Sequence, residues 1–351
     1  MRSLSVVIVG FGLMGPATPS GAAEEPPKTE QRVKDRGSGQ ALNLYIENDT
    51  RGLGGPGSDQ AYTNGFRVSY VFAESEIPFW AESTMNLSAA LKHEFENSIP
   101  NFSFAIGQQL YTPNDTQNTE LILDDRPYAS WLYASFSAQF RTENRIDSIE
   151  ANIGTIGNTA LGEQSQNSIH DILKIPTAKG WRNELNSEPT LQFTYQRRLK
   201  FFQLSDEASK RKYFDVTPHY GAALGNVAIN AHAGALFRAG LNLPDDFGPA
   251  RASGDGDSFV PVSQNFSRPW SLYAFAGGRA TGVLRNIFLD GNTFQASHRV
   301  TRRAIVLETE FGAGALWKQF GVTWRFVTRS PEFQERDEVA SFASLSLTYF
   351  F

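Results

Sequence analysis

The 351-residue chain contains no cysteine, which excludes a disulfide framework and thiol chemistry. It has no surplus of positive charge. The 32 Lys+Arg against 37 Asp+Glu give a net charge of -5, so nucleic acid is not an expected partner. Beyond the N-terminal segment there is no long apolar run, and mean hydropathy is -0.34, which excludes a bundle of membrane helices. The chain also lacks a GxSxG elbow, an HExxH pair and a phosphate-binding P-loop, so no motif points to a nucleophilic serine, a zinc protease or a nucleotide.

What the chain does have is aromatic side chains: 13% of residues, with 27 Phe. Many aromatics at low hydropathy fit a transmembrane β-barrel, in which only alternate residues face lipid. The N-terminus reads as an export signal over 1–23: Arg2, an apolar core from Ser5 to Gly15, and small residues at Gly21-Ala22-Ala23. A polar tail with Pro26 and Pro27 then spans 24–40, and the barrel is expected over 41–351. At the other end Ala343, Leu345, Leu347, Tyr349 and Phe351 alternate with Ser344, Ser346, Thr348 and Phe350. A closing strand with a terminal Phe is typical of bacterial outer-membrane barrels. An ordinary amphipathic edge strand is the plainer alternative.

Period-2 alternation marks the strands. The first runs through Leu42, Leu44 and Ile46. Further strands are expected at Tyr62–Phe72, Phe102–Tyr111, Tyr128–Arg141, Arg145–Gly157 and Pro189–Lys200. The second half carries Tyr213–Asn226, Ile229–Leu243, Trp270–Leu284, Phe294–Glu310, Leu316–Val327 and Phe342–Phe351. The fold class is therefore all-β: an antiparallel barrel of about 12 strands, an even number as single-chain outer-membrane barrels have. With both ends of the barrel in the periplasm, every odd-to-even connection is extracellular. The polar stretch from Gly162 to Asn186 is too long for a hairpin turn and falls in the third such loop. It is expected to carry a short helix.

Four polar groups gather on that predicted outer rim. Asn48 and Asp49 end the first strand, with Asn48 on the apolar parity; oxygen donors of this kind suit Ca²⁺, and a turn-forming strand stop is the bland reading. Thr63 opens the second strand beside Gly65. Asp124-Asp125-Arg126 closes the second outer loop, where Arg126 is positioned to bind phosphate or to form a loop-end ion pair. His170 is the candidate general base, because imidazole accepts a proton near neutral pH. Gln164, Gln166 and Asn167 are candidates to hydrogen-bond a substrate, whereas His93, His219, His232 and His298 read as structural.

These residues together resemble the outer-membrane lipid A 3'-O-deacylases over nearly the whole mature chain. The match is carried by Glu47-Asn48-Asp49, Tyr62-Thr63-Asn64-Gly65, Asp125-Arg126-Pro127-Tyr128-Ala129 and Gly162 to Asn167 with His170. Gly180-Trp181 and Asn186-Ser187-Glu188-Pro189 extend it. The resemblance implies a Ca²⁺-dependent esterase acting on lipopolysaccharide from the outer leaflet, with Asn48, Thr63 and His170 catalytic; a monomer is expected. It places the ion near Asn48 and Asp49, and Gln166 and Arg126 toward the substrate. Some members carry an acidic residue shortly after the histidine, where this chain has Lys174-Ile175-Pro176. Asp171 or Glu163 would then have to replace it. An outer-membrane phospholipase, whose His-x-Ser pair is absent, and a passive pore are the alternatives.

Overall fold

The structure, a computed structural model, describes residues 4–8, 40–48, 61–73, 76–85, 97–206, 208–209, 211–251 and 270–351. Twelve antiparallel strands close into a barrel in chain order. The first six are β1 (Ala41–Asn48), β2 (Ala61–Val71), β3 (Ile99–Thr112), β4 (Ala129–Arg141), β5 (Arg145–Ile156) and β6 (Glu188–Leu199). The second six are β7 (Arg211–Gly225), β8 (Ala228–Leu241), β9 (Trp270–Asn286), β10 (Ile305–Trp317), β11 (Phe320–Arg329) and β12 (Ala340–Phe350). The halves join where β6 pairs with β7, and the ring closes where β12 pairs with β1. A short ribbon, Leu4–Ile8 on Phe202–Asp206, extends from the first residues of β7.

Two of the expected strands are shifted. Phe294–Glu310 was expected to be extended, but β10 starts only at Ile305 and runs on to Trp317. Residues 294–304 form a loop because their polar groups are used locally. The Glu188 carboxylate accepts from the amides of Thr293 and Phe294, and Ser297 Oγ accepts from Asn292 N at 2.8 Å. The following turn is only Lys318-Gln319, with Lys318 at φ 52, so β11 begins at Phe320 rather than Leu316.

Alternation sorts the two faces of the wall. In β1, Asn43, Tyr45 and Glu47 are buried in the lumen while Leu42 is exposed outside. The lumen is polar and crossed by ion pairs. Arg67 donates to Glu150 (3.1 Å) and Ser135 (3.0 Å), Arg238 pairs with Asp215 (2.6 Å), and Arg325 with Glu310 (2.8 Å). From the end where β8 finishes, Asp246 to Arg251 fold into the barrel. Asp246 pairs with Arg238 and Arg251 with Glu308 and Glu310, while the carbonyls of Phe247 and Pro249 accept from Arg198 and Arg325. At the opposite end a short helix, Ile287–Asp290, buries Ile287, Phe288 and Leu289, and Phe288 stacks on Tyr111. Each guanidinium taken out of water is matched by a carboxylate or carbonyl, as burial of charge demands.

Outside, helix α1 (Phe79–Met85) lays Trp80 edge-on against Phe102 and Phe136. No described helix is long and apolar enough to cross a membrane; the strands do so.

Candidate active site

At the end of the barrel where β1 finishes, strand register aligns one outward-facing row. Asn48 faces Asn64, Asn64 faces Leu110, and Leu110 faces Ser130. All four lie on the outer parity, so the wall there presents amides and a hydroxyl where the rows beneath present Ile46 and Phe66. Thr63 sits at a β-bulge: Tyr62 pairs with Tyr111 and Asn64 with Leu110, which leaves Thr63 as the extra residue. Bulges re-aim a strand locally and gather near functional sites. Asp49 lies outside the described residues.

The connection from β5 to β6 folds back over this row. Gly157 (φ 83) and Leu161 (φ 61) turn the chain, and helix α2 (Gly162–Leu173) runs until Lys174 (φ 59) ends it in the left-handed region. Gly162, Gln166 and His170 recur every four residues and form one buried face. Gly162 has no side chain because none fits: a Cβ there would lie 2.5 Å from Ser130 Cβ and 2.7 Å from the Trp181 ring. Gln108 Nε2 donates to Ala160 O at 2.6 Å, fixing the approach to the helix against β3. The helix therefore lies on the outside of the wall, over β3 and β4. Its apolar residues point away from the barrel, with Ile172 77% and Ile169 39% exposed. Leu121, Leu123 and Leu161 are exposed in the same end-loops. In water that pattern is inverted; beside lipid it is the expected one.

Trp181 ties the assembly together. It packs with Leu110, Tyr128 and Ala178, and its indole donates to Gln166 Oε1 at 2.9 Å. Gln166 Nε2 is buried without a partner among the described residues. His170 is buried, and its Nδ1 lies 2.7 Å from the Pro176 carbonyl. After Lys174 the chain reverses, and Ile175 N donates to His170 O at 3.0 Å. Asn167 grips the returning strand at both ends of its amide: Oδ1 accepts from Ala178 N (3.0 Å) and Nδ2 donates to Ala178 O (3.4 Å). Further along, Leu185 N donates to Tyr128 O, and Ser130 Oγ donates to Glu184. Burial, with a further push from Glu163, raises the Glu184 carboxyl to about 7 despite that hydrogen bond.

Residues 6–351 match the model of the family described as outer membrane protein LpxR. The chain belongs to the LpxR family. The solved structure of LpxR from Salmonella typhimurium is similar in fold, with a TM-score of 0.68 at 19% identity over 89% of this chain and 100% of that one. The translocator domain of the autotransporter NalP from Neisseria meningitidis gives only 0.33 at 10% identity, covering 92% of each chain. No curated protein sequence matches.

For this LpxR-family chain the structure sorts the predicted residues. Asn48, the bulge at Thr63, Gln166 and His170 come together at one end of one wall. Arg126 does not join them. It is buried on the lumen side, pairs with Glu332 at 2.7 Å and stacks over Tyr111 and Phe333, so it cannot reach a phosphate outside the wall. Its neighbour Asp125 accepts instead from the amides of Asn114 and Arg126. Asn167 spends its amide on Ala178 rather than on a substrate, and Gln164, Asp171 and Glu163 are exposed. His219 and His232 are buried in the lumen, His298 bonds Asp125 O, and His93 lies outside the described residues. Asn64 and Trp181 stand in the sequence only as parts of matching motifs, without a role, and the Pro176 carbonyl has no signal there. Only the register, for Asn64, was open to detection in advance.

Proposed function

We propose that the chain is an outer-membrane lipid A 3'-O-deacylase, hydrolysing the ester of the 3'-linked acyloxyacyl chain. One observation carries the reading. A buried histidine is held on a helix that clamps to the outer wall, beside a row of amides at the rim. A water-soluble substrate would call for a site in the lumen or a cleft, but here the groups face the lipid side. The outward Ile169 and Ile172 set the helix at the boundary between acyl chains and headgroups. An even strand count, with the ends of the barrel taken to lie in the periplasm, supports an exterior position for this rim, where lipopolysaccharide resides.

The chemistry follows from the residues. His170 accepts a proton from water, whose oxygen attacks the ester carbonyl carbon. The sugar oxygen leaves as an alcohol, taking up a proton, and the acyl chain departs as a carboxylic acid. Gln166 Nε2, without a partner among the described residues, offers an N–H toward the oxygen that gains negative charge, worth a few kcal/mol when such a donor is preorganised. Thr63, the extra residue of its bulge, is proposed as a member of the same shell. The rim presents the Asn48 and Asn64 amides, whose oxygens are hard donors of the kind that suits Ca²⁺. Bound there, Ca²⁺ supplies a positive charge beside the ester carbonyl. A passive pore finds no support in a lumen packed with ion pairs and with Asp246–Arg251.

The test is direct. The purified barrel is incubated with lipopolysaccharide and Ca²⁺, and lipid A is weighed by mass spectrometry. Loss of one acyloxyacyl chain is expected, and His170→Ala abolishes it while the barrel stays heat-resistant on a gel. Unchanged lipid A with properly folded wild-type protein sinks the reading.

A further inference from the structure

The geometry points to Asn167 and Pro176 as positioning residues that fix the tautomer of His170 through a backbone carbonyl. The inference rests on His170 being the base for the function proposed above, but its structural half stands without it.

A carbonyl oxygen can only accept. The 2.7 Å contact between His170 Nδ1 and Pro176 O therefore requires the proton on Nδ1, and in the neutral ring Nε2 is then the basic nitrogen. Histidine bases are usually held this way by a carboxylate. Of the two carboxylates named for that role, Asp171 is exposed off the buried face, and Glu163, also exposed, lies two turns, or about 10 Å, back along α2. The carbonyl is held in place from both sides. Upstream, the left-handed Lys174 and the Ile175 N–H to His170 O reverse the chain directly beneath the ring. Downstream, the Asn167 amide makes its two bonds to Ala178, one helical turn before His170 and two residues after Pro176. Gln117 Nε2 on Thr177 O (3.0 Å) and Lys179 N on Thr116 O (2.8 Å) brace the outer edge of the same segment. Pro176 itself has a fixed φ and no N–H, so it cannot redirect the strand by donating elsewhere.

A neutral carbonyl orients the ring without adding negative charge. Loss of Asn167 should leave the barrel and substrate affinity alone and degrade only the aim.

The experiment uses the full chain in detergent, with ¹⁵N-labelled histidine and a long-range ¹H–¹⁵N correlation above the imidazole titration range. His170→Ala assigns the signal. The wild type alone decides the tautomer: Nδ1 as the protonated nitrogen supports the inference, and Nε2 as the protonated nitrogen overturns it. Asn167→Ala should give a mixed tautomer and a kcat about tenfold lower with little change in KM, a fraction of what a general base contributes. Asn167→Asp, which keeps the acceptor for Ala178 N–H, should fall between the two. A heat-resistant Asn167→Ala barrel with the wild-type tautomer and kcat removes Asn167 from the role. An Nδ1-protonated wild type that leaves lipid A intact overturns the proposed function and not the positioning.

Discussion

Replacing Gly162 with Ala tests whether α2 is seated on the wall as tightly as described. The added Cβ would lie 2.5 Å from Ser130 Cβ, 2.7 Å from its Oγ and 2.7 Å from the Trp181 ring. Neither neighbour can give way easily. Ser130 belongs to β4, and its hydroxyl is bonded to Gly157 O at 3.1 Å and to Glu184. Trp181 is held by Gln166 and Tyr128. Overpacking of this kind costs about 1–3 kcal/mol. Alanine recovers at most about 1 kcal/mol of helix propensity over glycine, and less in a first turn. The clash wins by roughly 1–2 kcal/mol, so opening of the docked helix should rise about 5–30-fold. Hydrogen exchange of the amides of 162–173 reads this, with the exposed Ser168→Ala as a control that gains propensity without a clash. Acyl release should fall in parallel, while barrel heat resistance is unchanged. Exchange in Gly162→Ala that is no faster than in the control would show that the helix does not rest on Ser130, and the site built here would lose its floor.

Glu184→Gln should tighten the same docking. A carboxyl raised from 4.5 to about 7 in the folded loop costs stability once ionised, at most roughly 3 kcal/mol. Because the folded pKa lies above the unfolded one, stability is full below about pH 4.5 and is lost as pH rises through 7. The gain in Glu184→Gln should therefore appear at pH 8 in proteolytic resistance of the 157–187 loop and vanish near pH 4; an equal gain at both contradicts it. Glu150→Ala strands the buried Arg67 and should cost about 3–5 kcal/mol of barrel stability in a denaturant melt. A calcium chelator should stop acyl release while leaving the barrel melt unchanged, and undiminished release in chelator rules out the ion. Arg126→Ala should lower stability through loss of the pair with Glu332 and leave KM for lipopolysaccharide unaltered; a raised KM would return Arg126 to the substrate side.

Much of this molecule is legible in its letters because strand periodicity is local. Leu42, Leu44 and Ile46 against Asn43, Tyr45 and Glu47 already state which side of the wall each residue takes, and twelve such runs count the barrel. Asn48 on the apolar parity, and the histidine in an overlong polar loop, mark the candidate site for the same reason: each breaks a short-range pattern. Arg126 could not be placed that way. A guanidinium looks alike whether it meets a phosphate or Glu332, 206 residues distant, and only chain closure brings that carboxylate near. The orienting acceptor of His170 was hidden more deeply, since every residue has a carbonyl and nothing in Pro176 distinguishes its own. Folding chose it, by ending α2 at Lys174 and anchoring Ala178 to Asn167, because hydrogen bonds are settled by distance in space and not by separation along the chain.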